Sequence, residues 1–187
     1  MSRLTAERLA ELYSGTLRLV AEHGFDNVTM DQIADTTHSS KATLYRQWGN
    51  KVGLVVEALR CSVPMDHPVA DTGSLRDDLH EVLLNRRGTA EEADLVASIL
   101  HAIKSNAELA KAVREQIVAT GRERVQVILQ RAVDRGEVAP DCPALPHIDL
   151  VLFAPIVLNE VVNGQPASDD LMRDYVDSVL LPALGIH

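Results

Sequence analysis

The stretch that decides the fold runs from Thr29 to Lys51 and reads TMDQIADTTHSSKATLYRQWGNK. It predicts two short helices joined by a tight polar turn. Thr29 is a good N-cap, and Gln32 three residues later completes a capping-box pattern at the start of the first helix. The polar run at residues 36–40 interrupts that helical pattern and predicts the turn.

The second helix is predicted to begin at Ser39 or Ser40 and to continue to Trp48. Leu44 and Trp48 lie one turn apart, so they are expected to face inward together. A short second helix with polar residues at its N-terminal end is typical of a helix-turn-helix DNA-binding motif, although ordinary bundle packing also produces such helix pairs. The side chains expected to point away from the core are those of Lys41, Thr43, Tyr45 and Arg46.

The residue string itself resembles the DNA-binding domain of the TetR family of bacterial transcriptional repressors. That family shows a G-x-x-x-x-T/S entry before a hydrophobic residue, I-A in the scaffold helix, and S-K-x-T-L-Y in the recognition helix. An aromatic residue and a Lys that opens the next helix follow. In this chain the match extends from about Leu9 to Val56, and its features fall on Gly24, Val28-Thr29-Met30, Ile33-Ala34, Ser40-Lys41-Ala42-Thr43-Leu44-Tyr45, Trp48 and Lys51.

One departure from the family pattern lies in the turn, where the family usually has A-G-V and this chain has Thr37-His38-Ser39. Glycine suits a positive φ at that position, whereas a histidine adopts it only at some cost. We therefore expect a slightly reshaped turn centred on His38.

The composition predicts an all-α protein with an aliphatic core. The 187 residues are enough for one domain or for one small and one medium domain, and 46% of them are hydrophobic while only 3% are aromatic. We expect an N-terminal three-helix helix-turn-helix domain at residues 1–50 and a C-terminal helical bundle at residues 51–187. Helix 51–62 would connect them, in about nine helices overall.

Two local features are expected to shape the C-terminal bundle. Pro155 falls inside the apolar helix predicted from His147 to Asn163 and should kink it. Gly121 falls inside a long helix predicted from about Ala107 to Arg135, where it costs roughly 1 kcal/mol relative to Ala. We expect this glycine to permit the close approach of another backbone.

The formal net charge of −9 argues at first against a nucleic-acid partner. Residues 1–60, however, carry seven basic and seven acidic side chains, so the excess lies after residue 60, with 11 basic against 20 acidic side chains. A neutral segment with a few placed cations suits a local, strongly salt-dependent DNA contact.

The cysteines and the apolar stretches indicate where in the cell the protein is expected to reside. Cys61 and Cys142 offer neither a disulfide framework nor metal-ligand spacing, which favours free thiols in a reducing cytoplasm over a redox-sensing pair. The amino terminus lacks a signal-peptide pattern, and the longest apolar stretch, residues 148–162, is too short and too polar to span a bilayer. We expect a soluble cytoplasmic protein without a cofactor, a metal or a membrane partner.

From Glu108 to Leu184 the chain is also similar to a C-terminal regulatory domain common among actinobacterial TetR-like proteins. The features that carry this looser similarity are Glu108-Leu109-Ala110, Arg114, Arg131-Ala132-Val133, Arg135-Gly136-Glu137, Pro155, Gly164-Gln165-Pro166 and Leu180-Leu181-Pro182-Ala183-Leu184.

Side-chain chemistry assigns the DNA contacts. The helix start at Thr29 and the ammonium of Lys51 suit phosphates, and the hydroxyls of Thr43 and Tyr45 are further donors to the DNA backbone. Arg46 could reach a phosphate or a base. The residues at the N-terminal end of the recognition helix, where base edges are contacted, are Ser39, Ser40, Lys41 and Ala42. Arg3 and Arg8 could form a minor-groove arm, although a solvated helix end is the simpler interpretation.

In the C-terminal bundle, the resemblance implies a small-molecule pocket and a dimer interface made by the last two helices. The candidate pocket residues are Leu83, Leu100, His101, Ile103, Leu152 and Phe153, for which plain core packing is the alternative. The candidate interface residues are Ile156, Val157, Val161, Leu171, Tyr175 and Val179. A metal site built from His80, His101 and His147 is disfavoured because no pair has i, i+4 spacing.

The sequence therefore predicts a TetR-like regulator, expected to act as a repressor, that binds a palindromic operator as a homodimer and is released by a small-molecule effector. The rival is a helical ligand-binding or enzymatic bundle whose helix-turn-helix is only structural, which buried Lys41, Tyr45 and Lys51 would favour. No nucleophile with a base, carboxylate pair or glycine-rich phosphate loop supports an enzyme. A third possibility is a constitutive repressor without an effector cavity.

Overall fold

The computed structural model describes residues 5–62, 69, 71–84 and 90–186, without the side chains of residues 90–93, 157, 160 and 161. Every regular element in these residues is helical, which confirms the all-α prediction. The helices are α1 (Ala6–His23), α2 (Met30–Thr36), α3 (Lys41–Trp48), α4 (Lys51–Ser62), α5 (Leu75–Leu84), α6 (Ala90–Ala102), α7 (Ala107–Val113), α8 (Ala119–Asp134), α9 (Ile148–Leu152), α10 (Ala154–Asn163), α11 (Asp169–Tyr175) and α12 (Leu181–Ala183).

Several of these helices form longer runs. A π-helical turn at Arg114–Val118 joins α7 to α8, and a second one at Val176–Leu180 joins α11 to α12. α9 and α10 are two parts of one predicted helix, interrupted at Phe153 two residues before Pro155. At the predicted kink, the helix is therefore interrupted at one residue, Phe153, and continues on the other side. Counted as runs, the described helices give the nine expected.

The described chain divides into two compact units. The first contains α1–α4 together with residues 94–119, and the second contains α5 and residues 120–186. This packing groups the chain differently from the predicted division at residue 50, which remains a prediction about functional domains. Within the described residues, no helix is long and apolar enough to cross a membrane.

The core of the first unit joins the N-terminal helices to part of the later chain. Leu12, Ile33 and Leu44 are fully buried in it, and so is Leu54 of α4. Ile99, Ala102 and Leu109, from α6 and α7, belong to the same core. The helix-turn-helix therefore packs on a platform that includes residues far along the sequence.

The second unit has a core of its own. Its fully buried side chains include those of Leu75, Leu79, Ile128, Leu152 and Leu180. Beside this core, the buried carboxylate of Asp78 accepts hydrogen bonds from the Thr72 N–H at 2.8 Å and from Arg135 at 3.2 Å. Glu137, which also pairs with Arg135, accepts the Leu75 N–H at 2.8 Å. These contacts fix the start of α5 against the end of α8.

Gly121 does not serve the close approach expected of it. A Cβ placed on this residue would meet nothing within 4 Å among the described residues. Gly53 has that role instead, since a Cβ there would lie 2.3 Å from the Trp48 carbonyl oxygen. Low helix propensity alone does not reveal which glycine is sterically required.

Candidate nucleic-acid interface

Side-chain caps define the start of both helices of the motif. The Thr29 hydroxyl accepts the Gln32 N–H at 3.2 Å, and the Gln32 side chain accepts the Thr29 N–H at 2.8 Å. This is the predicted capping box. Ser40 caps α3, where its hydroxyl accepts the Thr43 N–H at 3.2 Å and lies 2.8 Å from the Thr43 hydroxyl. The recognition helix therefore begins at Lys41.

The turn between α2 and α3 contains the predicted strained residue. His38 has φ +49° and is the only non-glycine residue with positive φ in the described ranges. The Ser39 N–H donates to the Ala34 carbonyl at 2.8 Å, and the Thr37 hydroxyl donates to the Ile33 carbonyl at 2.6 Å. These bonds hold the turn although it lacks the family's glycine.

Arg8 also holds this turn. Its guanidinium donates to the Thr37 carbonyl and pairs with Glu11 at 2.8 Å. The sequence offered Arg8 only as a solvated helix end or a minor-groove arm, and the contact joins residues 29 positions apart. Arg3, the other candidate for such an arm, lies outside the described residues.

The polar side chains of the motif form an exposed surface, which we call the reading face. Leu44 is buried beneath it, and Trp48 packs edge-on against Tyr13 with ring centroids 6.0 Å apart. Tyr45 is 50% exposed, and Ser39 and Thr43 are half-buried. The exposed residues of the reading face are Thr29, Ser40, Lys41, Ala42, Tyr45 and Arg46.

Lys51 occupies a more enclosed position than the other predicted phosphate ligands. Its ammonium donates to the carbonyls of Phe25 at 2.6 Å and Val28 at 2.7 Å, and lies 4.3 Å from the centroid of the Phe25 ring. Burial lowers the pKa of Lys51. Two of its three N–H groups thus fix the loop before α2, and its contact with phosphate remains a prediction.

Lys41 is exposed but already has a partner. Its ammonium lies 2.6 Å from the carboxylate of Asp31, in the first turn of α2. This hydrogen bond raises the pKa of Lys41. Lys41 was predicted from the sequence as a DNA contact, whereas Asp31 was not, because their pairing depends on how α2 and α3 cross.

The predicted pocket residues are spread over both units. Leu83 and Leu152 are buried in the core of the second unit, and Phe153 packs against that core. In the first unit, Ile103 packs against the core while Leu100 and His101 are exposed. A ligand pocket that uses these residues remains a prediction.

The predicted interface helices expose apolar side chains. Leu171 and Val179 are exposed, whereas Ile156 and Tyr175 pack against the second core. The Tyr175 hydroxyl donates to the Val151 carbonyl at 2.8 Å. The side chains of Val157 and Val161 lie outside the described part of the chain. Sequence reasoning missed other exposed apolar side chains on these helices, those of Leu150, Val151, Leu158 and Val162.

Comparison with known families agrees with this geometry. Residues 12–58 match the family described as bacterial regulatory proteins, tetR family. Residues 69–179 match the tetracyclin repressor-like C-terminal domain. The two matches together account for most of the chain.

Similarity to individual proteins extends over nearly the whole length of the chain. A helix-turn-helix-type transcriptional regulator of Mycobacterium bovis is 34% identical over 178 residues, which cover 95% of this chain and 88% of the relative. The DNA-binding transcriptional repressor TetR of Mycobacteroides abscessus is 31% identical, with 93% of this chain and 92% of the relative covered.

Solved structures share the fold. A TetR-family regulator from Rhodococcus sp. superposes with a TM-score of 0.77 at 16% identity, covering 96% of this chain and 100% of the other. The family matches and the relatives identify a helix-turn-helix, DNA-binding transcriptional regulator. Within that class, the chain belongs to the TetR family.

Proposed function

We propose that this protein represses transcription by binding a palindromic operator as a homodimer, and that a small-molecule effector releases it. The observation that carries the proposal is the reading face, where Lys41 and Tyr45 are solvent-exposed over the buried Leu44. The rival interpretation is a helical bundle with a purely structural helix-turn-helix, which burial of Lys41, Tyr45 and Lys51 would favour. Lys51 is half-buried, but Lys41 and Tyr45 are exposed, and their exposure supports DNA binding over that rival.

The roles on DNA follow from side-chain chemistry. Lys41 donates to a guanine, and Ala42 or the Thr43 methyl contacts a thymine methyl in the major groove. Tyr45 and the remaining N–H of Lys51 donate to phosphates, while Arg46 reaches a phosphate or a base. Thr29 gives both its N–H and its hydroxyl to the Gln32 side chain, so the free amides that follow it at the start of α2 bind the phosphate there. The Ser40 hydroxyl caps α3 by accepting the Thr43 N–H, so the principal contribution of Ser40 is to orient the helix.

A homodimer is required because half-sites one helical turn apart, about 34 Å, need two recognition helices. The exposed apolar side chains of α9–α11, including Leu158 and Val162, support an interface on these helices. We infer that Ile156, Val157, Val161, Leu171, Tyr175 and Val179 take part in it.

Effector release needs only modest coupling. A ligand that binds the DNA-incompetent state more tightly by a few kcal/mol shifts operator occupancy substantially. We infer that the effector binds within the C-terminal helical bundle. We also infer that the protein acts in the cytoplasm, where the operator lies.

Selection from a random pool of DNA duplexes tests the DNA-binding proposal. The purified protein is expected to enrich an inverted repeat, with two subunits bound per duplex and an affinity that falls as salt rises. The intergenic DNA upstream of its own gene is the first natural sequence to compare. A pool with no sequence enriched over the input would overturn the proposal.

Two variants assign the reading face. Tyr45→Ala should weaken binding to every duplex, because it removes a phosphate contact, whereas Lys41→Ala should also relax sequence choice. Lys111→Ala, which removes an exposed lysine on α7, is the matched control and should bind as the wild type does. Wild-type binding by both reading-face variants would contradict the assignment.

A further inference from the structure

Beside the reading face, one carboxylate is in direct contact with a proposed DNA ligand. Asp31 Oδ2 lies 2.6 Å from Lys41 Nζ, and both side chains remain more than half exposed, at 58% and 53%. The pair spans the two helices of the motif, since Asp31 belongs to α2 and Lys41 opens α3. A carboxylate here faces the solvent that DNA would displace.

We propose that Asp31 is a specificity-determining residue, which positions Lys41 and withholds its charge from phosphates so that the lysine favours a base. This inference rests on the proposed DNA-binding function. It adds a residue that makes no favourable contact with DNA itself and acts through Lys41.

The physical reason is the difference between the two kinds of DNA contact. Binding to phosphates is sequence-independent and follows the number of available cations, whereas a base contact requires an oriented donor. A lysine side chain is a flexible point charge that reaches phosphates readily. An ion pair with Asp31 neutralises that charge and restricts the ammonium to one side of α3.

Because both side chains are more than half exposed, the ion pair is weak enough to yield to an acceptor on the DNA. Exposed ion pairs contribute little to stability, because water screens them and the side chains lose conformational freedom. A correct base acceptor therefore competes successfully for the Lys41 ammonium.

Asp31→Asn tests the proposal, with affinities measured on the tightest duplex selected from the random pool and on a scrambled duplex of equal composition. We expect affinity for the scrambled duplex to rise about twofold to fivefold. The slope of log K against log salt should steepen by about 0.9, as for one more phosphate contact. The ratio of the two affinities should fall at least twofold.

Asp35→Asn is the matched control. Asp35 is an exposed acid on the same helix, and its substitution makes the same charge change without breaking the Lys41 hydrogen bond. It should raise both affinities together and leave their ratio unchanged. If Asp31→Asn and Asp35→Asn behave alike, the carboxylate acts only through general charge and the proposal is wrong.

Two further variants separate positioning from a structural role. Asp31→Glu keeps the negative charge and should retain most of the discrimination. In a Lys41→Ala background, Asp31→Asn should no longer lower the ratio, and a persistent effect there would overturn the proposal. Both duplexes are titrated with one preparation, so partial unfolding changes the two affinities equally.

The same measurements distinguish this inference from the proposed function. A wild-type protein without sequence preference would overturn the proposed function, and the inference with it. A wild-type preference that Asp31→Asn leaves intact would overturn the inference alone.

Discussion

The side-chain amide of Asn50 donates from Nδ2 to Oε1 of Glu108 at 2.8 Å. Its Oδ1 accepts the Gly53 N–H at 2.9 Å, so the same side chain closes the first turn of α4 and contacts the first turn of α7. The chain therefore connects the end of the helix-turn-helix to α7 through one polar group.

The contact is tested by exchanging its donor and its acceptor in two steps. Asn50→Asp keeps the acceptor for Gly53 but faces Glu108 with a like charge, so the free energy of unfolding should fall by about 1 kcal/mol. Adding Glu108→Gln supplies an amide donor to the new carboxylate and should recover at least half of the loss. Urea unfolding measures both variants, and two additive losses would show that the contact has no energetic role.

Replacing His38 by glycine should stabilise the folded protein. A left-handed conformation costs a non-glycine residue about 1–2 kcal/mol, while glycine loses about 0.5–1 kcal/mol more chain entropy on folding. His38→Gly should therefore raise the free energy of unfolding by about 0.5–1 kcal/mol, measured by urea titration. His38→Ala retains a Cβ at the same φ, so an equal gain from it would argue against relief of strain.

Two glycine-to-alanine changes should have opposite signs. Gly53→Ala brings a Cβ against the Trp48 carbonyl oxygen, which is backbone and cannot rotate away, so we expect a loss of about 2–3 kcal/mol. Gly121→Ala meets nothing within 4 Å among the described residues and should gain about 0.5–1 kcal/mol. Thermal unfolding of the two proteins side by side provides the comparison, in which equal effects would contradict this packing.

Asp78 should make the second unit sensitive to acid. Burial alone would raise its pKa, but the hydrogen bonds from Thr72 and Arg135 outweigh burial and lower the pKa below its usual value of 3.8. The native state then holds fewer protons than the unfolded chain. The resulting stabilisation is complete above the unfolded pKa and is lost as pH falls through the folded pKa.

Asp78→Asn removes a buried charge partner of Arg135 and should lower the free energy of unfolding by about 2–3 kcal/mol at pH 7. The loss is not larger because Arg135 keeps Asp71 and Glu137 as partners. The substitution should also flatten the dependence of stability on pH below about pH 5. Unfolding by urea across a pH series measures both effects. Asp141→Asn, at an exposed position of the same unit, should change neither.

The apolar face of α10 should control assembly. Val162 is 73% exposed, and a charge there would be buried in any interface formed by these helices, so Val162→Glu should shift a homodimer toward monomer. Light scattering coupled to size exclusion at micromolar concentration measures the change. Val127→Glu, at an exposed position of α8, is the control, and a monomeric wild type would count heavily against the homodimer.

Local sequence predicted the parts of the site whose contacts are local. The capping box of Thr29 and Gln32 joins residues three apart, so its spacing is visible in the chain. The start of the recognition helix was predicted at Ser39 or Ser40, and Ser40 caps it. The strain at His38 was predictable because the family pattern has glycine there. In each case the contact or the pattern lies within a few residues.

The contacts that the sequence did not reveal depend on how separate elements pack. Arg8 meets Thr37 across 29 residues, and Asn50 meets Glu108 across 58. Lys51 looked like a phosphate ligand by type, yet two of its N–H groups bind carbonyls of the loop before α2. Polar residue types mark what a side chain could do, whereas only packing decides which partner it meets first.

The first core constrains the design of chimaeric regulators, because it includes Ile99, Ala102 and Leu109 from α6 and α7. Joining residues 1–62 to another protein's sensing domain would transfer the reading face without the side chains that complete its core. A transplant that keeps the original operator preference must therefore carry a compatible surface from α6 and α7. Whether a sensing domain can be exchanged between related regulators therefore depends more on this shared core than on where the two sequences are joined.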